Sequence, residues 1–374
     1  MGNGVNPFFA GGAIADRRFF VGRSPELREI FSKMFADQPT SINVVGPKRI
    51  GKSSLLRHVV RTYEERSPEW NRKAQGFVVV YIDFDKTSCQ TQAGFYGAIA
   101  KELLAAVPKK TSWWQFQDKP RLEAPLKVTP FDGLAFEKAL RVWKGRGILP
   151  VLCLDRFERL LDYPDEFPKG FYDGLRSLMD DGAVMLLIAS RELLTVYSRR
   201  AQITSSFFNL GHMVPLREFS DGEAMEVSRL PAGGEPIFST ERQGLVVKWG
   251  KKKPFCLQLA GQCLFEAQQQ GESEKWAWQR FQEQMVARRA KIWEVNFWLR
   301  QLLRSLGLLG RGADLMTNKK LNDTVKGIGI VAAVIVGLIL GAVNVAKLSD
   351  PSKWFEPDKS ETKPTVSPEP SLKR

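Results

Sequence analysis

Gly46-Pro-Lys-Arg-Ile-Gly-Lys-Ser-Ser54 decides how this chain folds, because it fits the pattern G-x-x-x-x-G-K-[ST] of a phosphate-binding P-loop. Glycines at both ends let the backbone curl so that successive N–H groups point inward at phosphate oxygens. Lys52 is placed to reach the β- and γ-phosphates, and the Ser53 hydroxyl to hold a magnesium ion. The flanks supply the context the motif needs. Ser41-Ile-Asn-Val-Val45 reads as a short strand, and Lys52 to Val60 has helical spacing with Leu55, Leu56 and Val59 on one face. A helix that begins at the loop directs the positive end of its dipole at the phosphates. Gly46, Pro47, Lys48, Arg49, Ile50, Gly51, Lys52, Ser53 and Ser54 are therefore the expected contacts of a nucleoside triphosphate.

Outward from the loop, apolar strand-like runs alternate with helical stretches. Gly76 to Ile82 leads to Asp83 and Asp85, and Gly147 to Leu154 leads to Asp155. Ala183 to Ala189 leads to Ser190 and Arg191, and Phe207 to Val214 is the weakest of the set. Strands separated by helices imply an α/β fold, a parallel sheet covered by helices on both faces, with ligand chemistry at the carboxyl ends of the strands. Asp155 follows an apolar run, as a Walker B aspartate does, and is expected to share the Mg²⁺ with Ser53. Ser220-Asp-Gly-Glu223 is a capping box and opens a second domain.

With these residues in view, the chain resembles prokaryotic P-loop ATPases of the STAND and archaeal-ATPase group, relatives of AAA+ proteins, over roughly residues 6 to 268. Asn6 to Asp16 followed by Phe19-Phe-Val-Gly-Arg23 is similar to the adenine-side segment of that group. Ile188-Ala-Ser-Arg191 is similar to the motif whose arginine senses the γ-phosphate. Trp249 to Leu259 is similar to the stretch of a winged-helix-like domain that sets a proline beside the nucleotide. The resemblance thus implies site roles for Gly22, Arg23, Arg191 and Pro254, beside ATP and Mg²⁺. The chain departs from the group at one position. The residue after the Walker B aspartate is normally a glutamate that orients the attacking water, and here it is Arg156. A guanidinium accepts no proton. Glu158, or Asp83 or Asp85 at the end of the second strand, are the carboxylates available to stand in for it. Lys52, Asp155, Arg191 and Glu158 are the catalytic candidates, with binding expected and hydrolysis weak or absent.

The composition fits a globular chain with a basic bias. Of 374 residues, 43% are hydrophobic and 26% charged, and the net charge of +14 points to anionic partners such as nucleotide, nucleic acid or acidic lipid. Four cysteines without a C-x-x-C pair fit reduced thiols, and two histidines exclude a histidine-rich metal site. Gly327 to Ala346 holds no charged residue, and 20 residues at about 1.5 Å each cross a hydrocarbon core of about 30 Å. Basic residues crowd its N-terminal side (Arg300, Arg304, Arg311, Lys319, Lys320, Lys326), so the rule of positive-inside loops predicts a single-pass plasma-membrane protein with a cytoplasmic N-terminal bulk. Ala333, Gly337 and Gly341 repeat at intervals of four, a face suited to self-association.

The expected layout is an N-terminal arm (1–18), a P-loop ATPase domain (19–218) and a winged-helix-like lid (219–270). A juxtamembrane region (271–325), a transmembrane helix (326–346) and a disordered tail (347–374) follow. The juxtamembrane region mixes Trp276, Trp278, Trp293 and Trp298 with Arg288, Arg289 and Lys291. Three readings of it stay open: packing on the preceding domain, contact with anionic lipid, and tracking of a nucleic-acid backbone. The leading functional expectation is a membrane-anchored, ATP-binding switch of STAND type. The alternatives are a membrane-moored nucleic-acid-binding ATPase and an active ATPase motor or membrane-remodelling enzyme. No residue names a protein partner.

Overall fold

Residue parity along three buried strands sets the architecture. β2 (Phe77–Asp83), β3 (Leu149–Asp155) and β4 (Met185–Ser190) are nearly continuous apolar runs, as strands covered on both faces must be. Val78, Val80, Ile82, Leu152, Leu154, Leu186 and Ile188 point into one core, and their neighbours Val79, Val151, Cys153, Met185 and Leu187 into the other. Together with β1 (Ile42–Val45) and β5 (His212–Pro215) they form a five-stranded sheet in the order β2-β3-β4-β1-β5, parallel throughout. β4 thus lies between the strand that ends in the P-loop and the strand that ends in Asp155.

The structure, a computed structural model, describes residues 6–70, 76–107, 119–231 and 235–287, all within the unit Met1–Arg288. On one face of the sheet lie α1 (Ser24–Met34) and α2 (Lys52–Arg66), with Ile30, Met34, Leu55, Leu56 and Val59 buried. On the other lie α3 (Gln92–Ala106), α5 (Gly133–Lys144) and α6 (Lys169–Asp180), with the short α4 (Lys119–Glu123) and α7 (Leu194–Ala201) at the margins. Thr91 and Asp132 cap α3 and α5 through side chains that accept from Gly94 and Ala135 N–H, so the spare donors of those first turns are satisfied. The two cores carry the stability. Truncating a fully buried leucine such as Leu187 costs about 2–5 kcal/mol, whereas an exposed ion pair contributes about 0–1 kcal/mol.

The expected fold class holds for its larger part: an α/β chain with a parallel sheet and helices on both faces. One strand is shorter than its apolar run. Ser206–Phe208 forms a 3-10 turn that buries Phe207 and Phe208 in the core, and β5 begins after it, at His212. After β5 the chain is helical: α8 (Asp221–Ser228), α9 (Thr240–Gly250), α10 (Pro254–Gln270) and a further helix over 274–287. The capping box at the start of α8 is complete, with Ser220 and Glu223 bonded reciprocally. One antiparallel bridge, Pro231 to Pro236, joins α8 to α9. Trp278 and Phe281 pack on Trp249 of α9 at ring separations of 5.0 and 6.0 Å, so the start of the aromatic stretch lies against the helical domain. The span at 326–346, the Ala333–Gly337–Gly341 face and the tail lie outside the described residues; among those described, no helix is long and apolar enough to cross a membrane.

Candidate nucleotide-binding site

The phosphate cradle is fixed from both neighbouring strands. Gly46 N–H donates to Ser190 O at 3.3 Å, and Leu216 N–H to Val45 O at 2.7 Å, so β4 and the segment after β5 hold the root of the loop. Asn43, buried in β1, donates to Ser190 Oγ at 2.8 Å and ties down the end of β4 that delivers Arg191. Gly51 enters α2 at φ 105°, a conformation closed to most L-residues, and this turns the first N–H groups of the helix into the loop. Lys52 Nζ donates to Gly46 O (2.6 Å) and Pro47 O (3.0 Å), folded over its own loop. Burial lowers its pKa to about 8, opposed by the charges of Glu158 and Asp155. A polyanion there would restore the charge.

Asp155 ends β3 with a side chain 1% exposed. Tyr81 donates to its Oδ2 at 2.6 Å, and Arg57 lies 4.2 Å over the Tyr81 ring. Burial raises the Asp155 carboxyl above the usual range, and the nearby Ser53 and Tyr81 hydroxyls act against this. Its Oδ1 is buried with no hydrogen-bond partner among the described residues. A magnesium ion answers that vacancy in charge and in oxygen chemistry, because Mg²⁺ takes one or two protein oxygens and fills its octahedron with water and phosphate. Ser53 and Asp155 therefore fit the ion.

Around the cradle is a cavity of about 450 Å³ whose walls come from three distant segments: the arm (Phe9 to Ile14), the loop with α2, and the start of α10 (Pro254, Phe255, Gln258). The arm is strapped to both others. Phe9 N–H donates to Gln258 Oε1 at 2.8 Å, and Ile14 N–H to Ser54 Oγ at 3.0 Å. Phe8 is buried and stacks on Phe238 at 5.2 Å. Ser54 thus anchors the arm while Ser53 faces Asp155. Arg49 of the loop lies 4.4 Å over the Phe255 ring, next to Pro254.

Arg23 is 4% exposed and acts as a brace: its guanidinium donates to Ile50 O (3.0 Å) and Arg217 O (2.8 Å) and stacks over Phe219 at 4.5 Å. Its backbone N–H is held by Glu223 of the capping box at 2.7 Å. Arg23 reaches the cavity wall, whereas Gly22 is not among the lining residues. Sequence reading missed the site roles of Tyr81 and Gln258, and it placed Glu223 in a capping box without its bond to Arg23. Tyr81 stands two residues before Asp83, so both side chains leave the same face of β2, whose last residue is in register with Asp155.

The side of the cavity beyond the loop holds Arg156, Arg159 and Arg191. Arg156 takes a left-handed φ of 60°, and its guanidinium pairs with Asp85 and, at 3.5 Å, with Asp83. Arg159 shares Asp85 at 2.9 Å. Glu158, two residues on, lines the cavity as well; Arg191 Nε lies 3.2 Å from its Oε1, and its Oε2 is buried with no partner among the described residues. Burial raises the Glu158 carboxyl, with Arg191 and Lys52 opposing. Lys48 is depressed by partial burial and then by four arginines, of which Arg191 acts most strongly. The structure thus gathers Lys48, Arg49, Gly51, Lys52, Ser53, Asp155, Glu158, Arg191 and Pro254 around one cavity, and ties Asp83 and Asp85 to arginines.

Among solved structures, the Walker-type ATPase of Pyrococcus abyssi is similar, at 16% identity over 84% of this chain and 89% of that one, with a TM-score of 0.53. The fold is that of a P-loop ATPase. The ORC2 protein of Aeropyrum pernix in its ADPNP–ADP complexes (14% identity, 73% of each chain, TM-score 0.48) is less similar. So is the RuvB Holliday junction branch migration motor of Thermotoga maritima (12%, 72% of each chain, 0.41). No family model and no curated protein matches the chain.

Proposed function

We propose that this P-loop protein is an ATP·Mg²⁺-binding switch in which the nucleotide joins the arm, the loop and the helical lid. The observation that carries this reading is the cavity itself, whose walls come from Phe9–Ile14, the P-loop and the first turn of α10. Lys52 and the loop N–H groups would grip the phosphates, Ser53 and Asp155 would hold the ion, and Arg191 would meet the γ-phosphate. When bound, the ion would supply neutralisation of phosphate charge. A ligand that touches three separate segments shifts the equilibrium between their arrangements by its differential affinity for the closed one. The resemblance of the sequence to STAND ATPases, with a winged-helix-like lid, supports reading this motion as a signal. The apolar run 327–346 and its basic flank support a membrane tether with the ATPase on the cytoplasmic side, and within the run Ala333, Gly337 and Gly341 offer a face for a second copy.

Amide hydrogen exchange of the full-length chain tests the reading. ATP with Mg²⁺ should slow exchange in residues 8–14, in the loop and in the first turns of α10 together, and Lys52→Ala should abolish all three effects. Protection confined to the loop would contradict a switch. The net charge of +14 favours a second reading, a nucleic-acid-binding ATPase. That reading requires DNA or RNA binding at physiological salt that weakens steeply as salt rises.

A further inference from the structure

The residue after Asp155 cannot activate water, yet the cavity holds a carboxylate with a free oxygen. We infer that Glu158 is the general base of a slow ATP hydrolysis, held in reserve by Arg191 until a γ-phosphate draws that arginine away. The inference rests on the nucleotide-binding reading above and gives that switch its way back.

Geometry selects Glu158 from the three carboxylates at this end of the sheet. Asp85 also lines the cavity but is shared by Arg156 and Arg159, and Asp83, 3.5 Å from Arg156, is not among the lining residues, whereas Glu158 has the single arginine partner Arg191. Glu158 lines the same cavity as Lys52, Ser53 and Asp155, and its buried Oε2 has no partner among the described residues. The backbone explains how the role moved. A left-handed residue straight after the strand reverses the chain, sending the Arg156 side chain toward the end of β2 and starting the 3-10 turn Phe157–Asp162 that brings Glu158 back to the cavity. A buried carboxylate oxygen without a partner calls for an explanation, and a water that must be deprotonated supplies one.

The latch follows from the same pair. Glu158 Oε1 and Arg191 Nε are 3.2 Å apart, and the Arg191 side chain is half exposed. A γ-phosphate competes with Glu158 for this guanidinium and, on taking it, leaves the carboxylate for water. The water oxygen then forms a bond to the γ-phosphorus, and the bond from that phosphorus to the β–γ bridging oxygen breaks, its electron pair leaving with ADP. One water proton passes to Glu158 and from there to solvent; the other stays on the phosphate.

Full-length protein and its Glu158→Gln variant, compared in ATP binding, ADP binding and single-turnover phosphate release, provide the test. The variant should release phosphate about 100-fold more slowly. It should also bind ATP several-fold more tightly than wild type, because Arg191 no longer has a carboxylate partner, while ADP affinity stays level. Release within a few-fold of wild type would overturn the base, and an unchanged ATP affinity would overturn the latch. Wild-type protein that binds ATP and releases no phosphate overturns this inference alone. Wild-type protein that binds no ATP overturns the nucleotide reading, and this inference with it.

Discussion

The loop from Gly46 to Ser53 and the turn from Asp155 to Glu158 face each other across one cavity, and they were built by different rules. Backbone geometry makes the first. A positive φ at Gly51, carbonyls that receive the Lys52 ammonium and the N–H groups of a helix start shape a loop whose root is held by Ser190 and Leu216. Pairwise charge makes the second. Arg156 is paired with Asp83 and Asp85, Glu158 is held by Arg191, and Asp155 is held by Tyr81. The gripping groups are therefore local in the sequence, whereas chemistry depends on residues that only the sheet brings together.

The largest expected effect removes the grip. Lys52→Ala should weaken ATP binding by about 10–100-fold, since a hydrogen bond to a charged group contributes about 1.5–3 kcal/mol; calorimetric titration reads it directly. An affinity that survives this change would break the contrast between the two regions at its stronger end. Next comes a change aimed at the arm. A Cβ at Gly261 would sit 2.2 Å from the Phe8 ring, so Gly261→Val should cost about 1–3 kcal/mol. Thermal melting should fall by several degrees, and hydrogen exchange in residues 8–14 should rise.

A smaller effect is expected on the chemical side. Arg156→Glu restores the glutamate usual at that position in the STAND group, but it faces two aspartates. The account predicts no gain in phosphate release and a stability loss of about 1 kcal/mol or less, as for other exposed pairs. Faster release than wild type would place water activation at position 156 and remove the contrast. The smallest effect is a pH dependence on the grip side. His58 in α2 stacks on Phe20 at 3.9 Å, and burial lowers its pKa from 6.5 to about 4. Between those values the unfolded chain binds more protons, so this contribution is complete above pH 6.5 and is lost as the pH falls to about 4. Denaturant unfolding at pH 7 and pH 4.5 should differ less in His58→Gln than in wild type.

What could be read from the sequence follows the same division. The P-loop, the strand before it, Asp155 and the capping box at Ser220 obey rules that span a few residues, and each is where the residues placed it. Phe207 and Phe208 did not join the strand expected there, because a short apolar run has no period that separates a strand from a buried turn. The Arg156–Asp85 pair was not legible, since it requires β2 and β3 to be neighbours in register, Asp83 beside Asp155. Nor was the strap from Phe9 to Gln258, which are 249 positions apart. Arg23 was expected at the adenine side, and its geometry makes it a brace between the loop, Arg217 and Phe219.

Everything above depends on one arrangement, ATP held by this loop together with a magnesium ion shared by Ser53 and Asp155. Titration of the full-length wild-type protein with ATP, in Mg²⁺ and again in chelator, tests it most directly. The account predicts one saturable site per chain that tightens markedly when Mg²⁺ is present. No saturable binding in Mg²⁺, or an affinity indifferent to the ion, would contradict it.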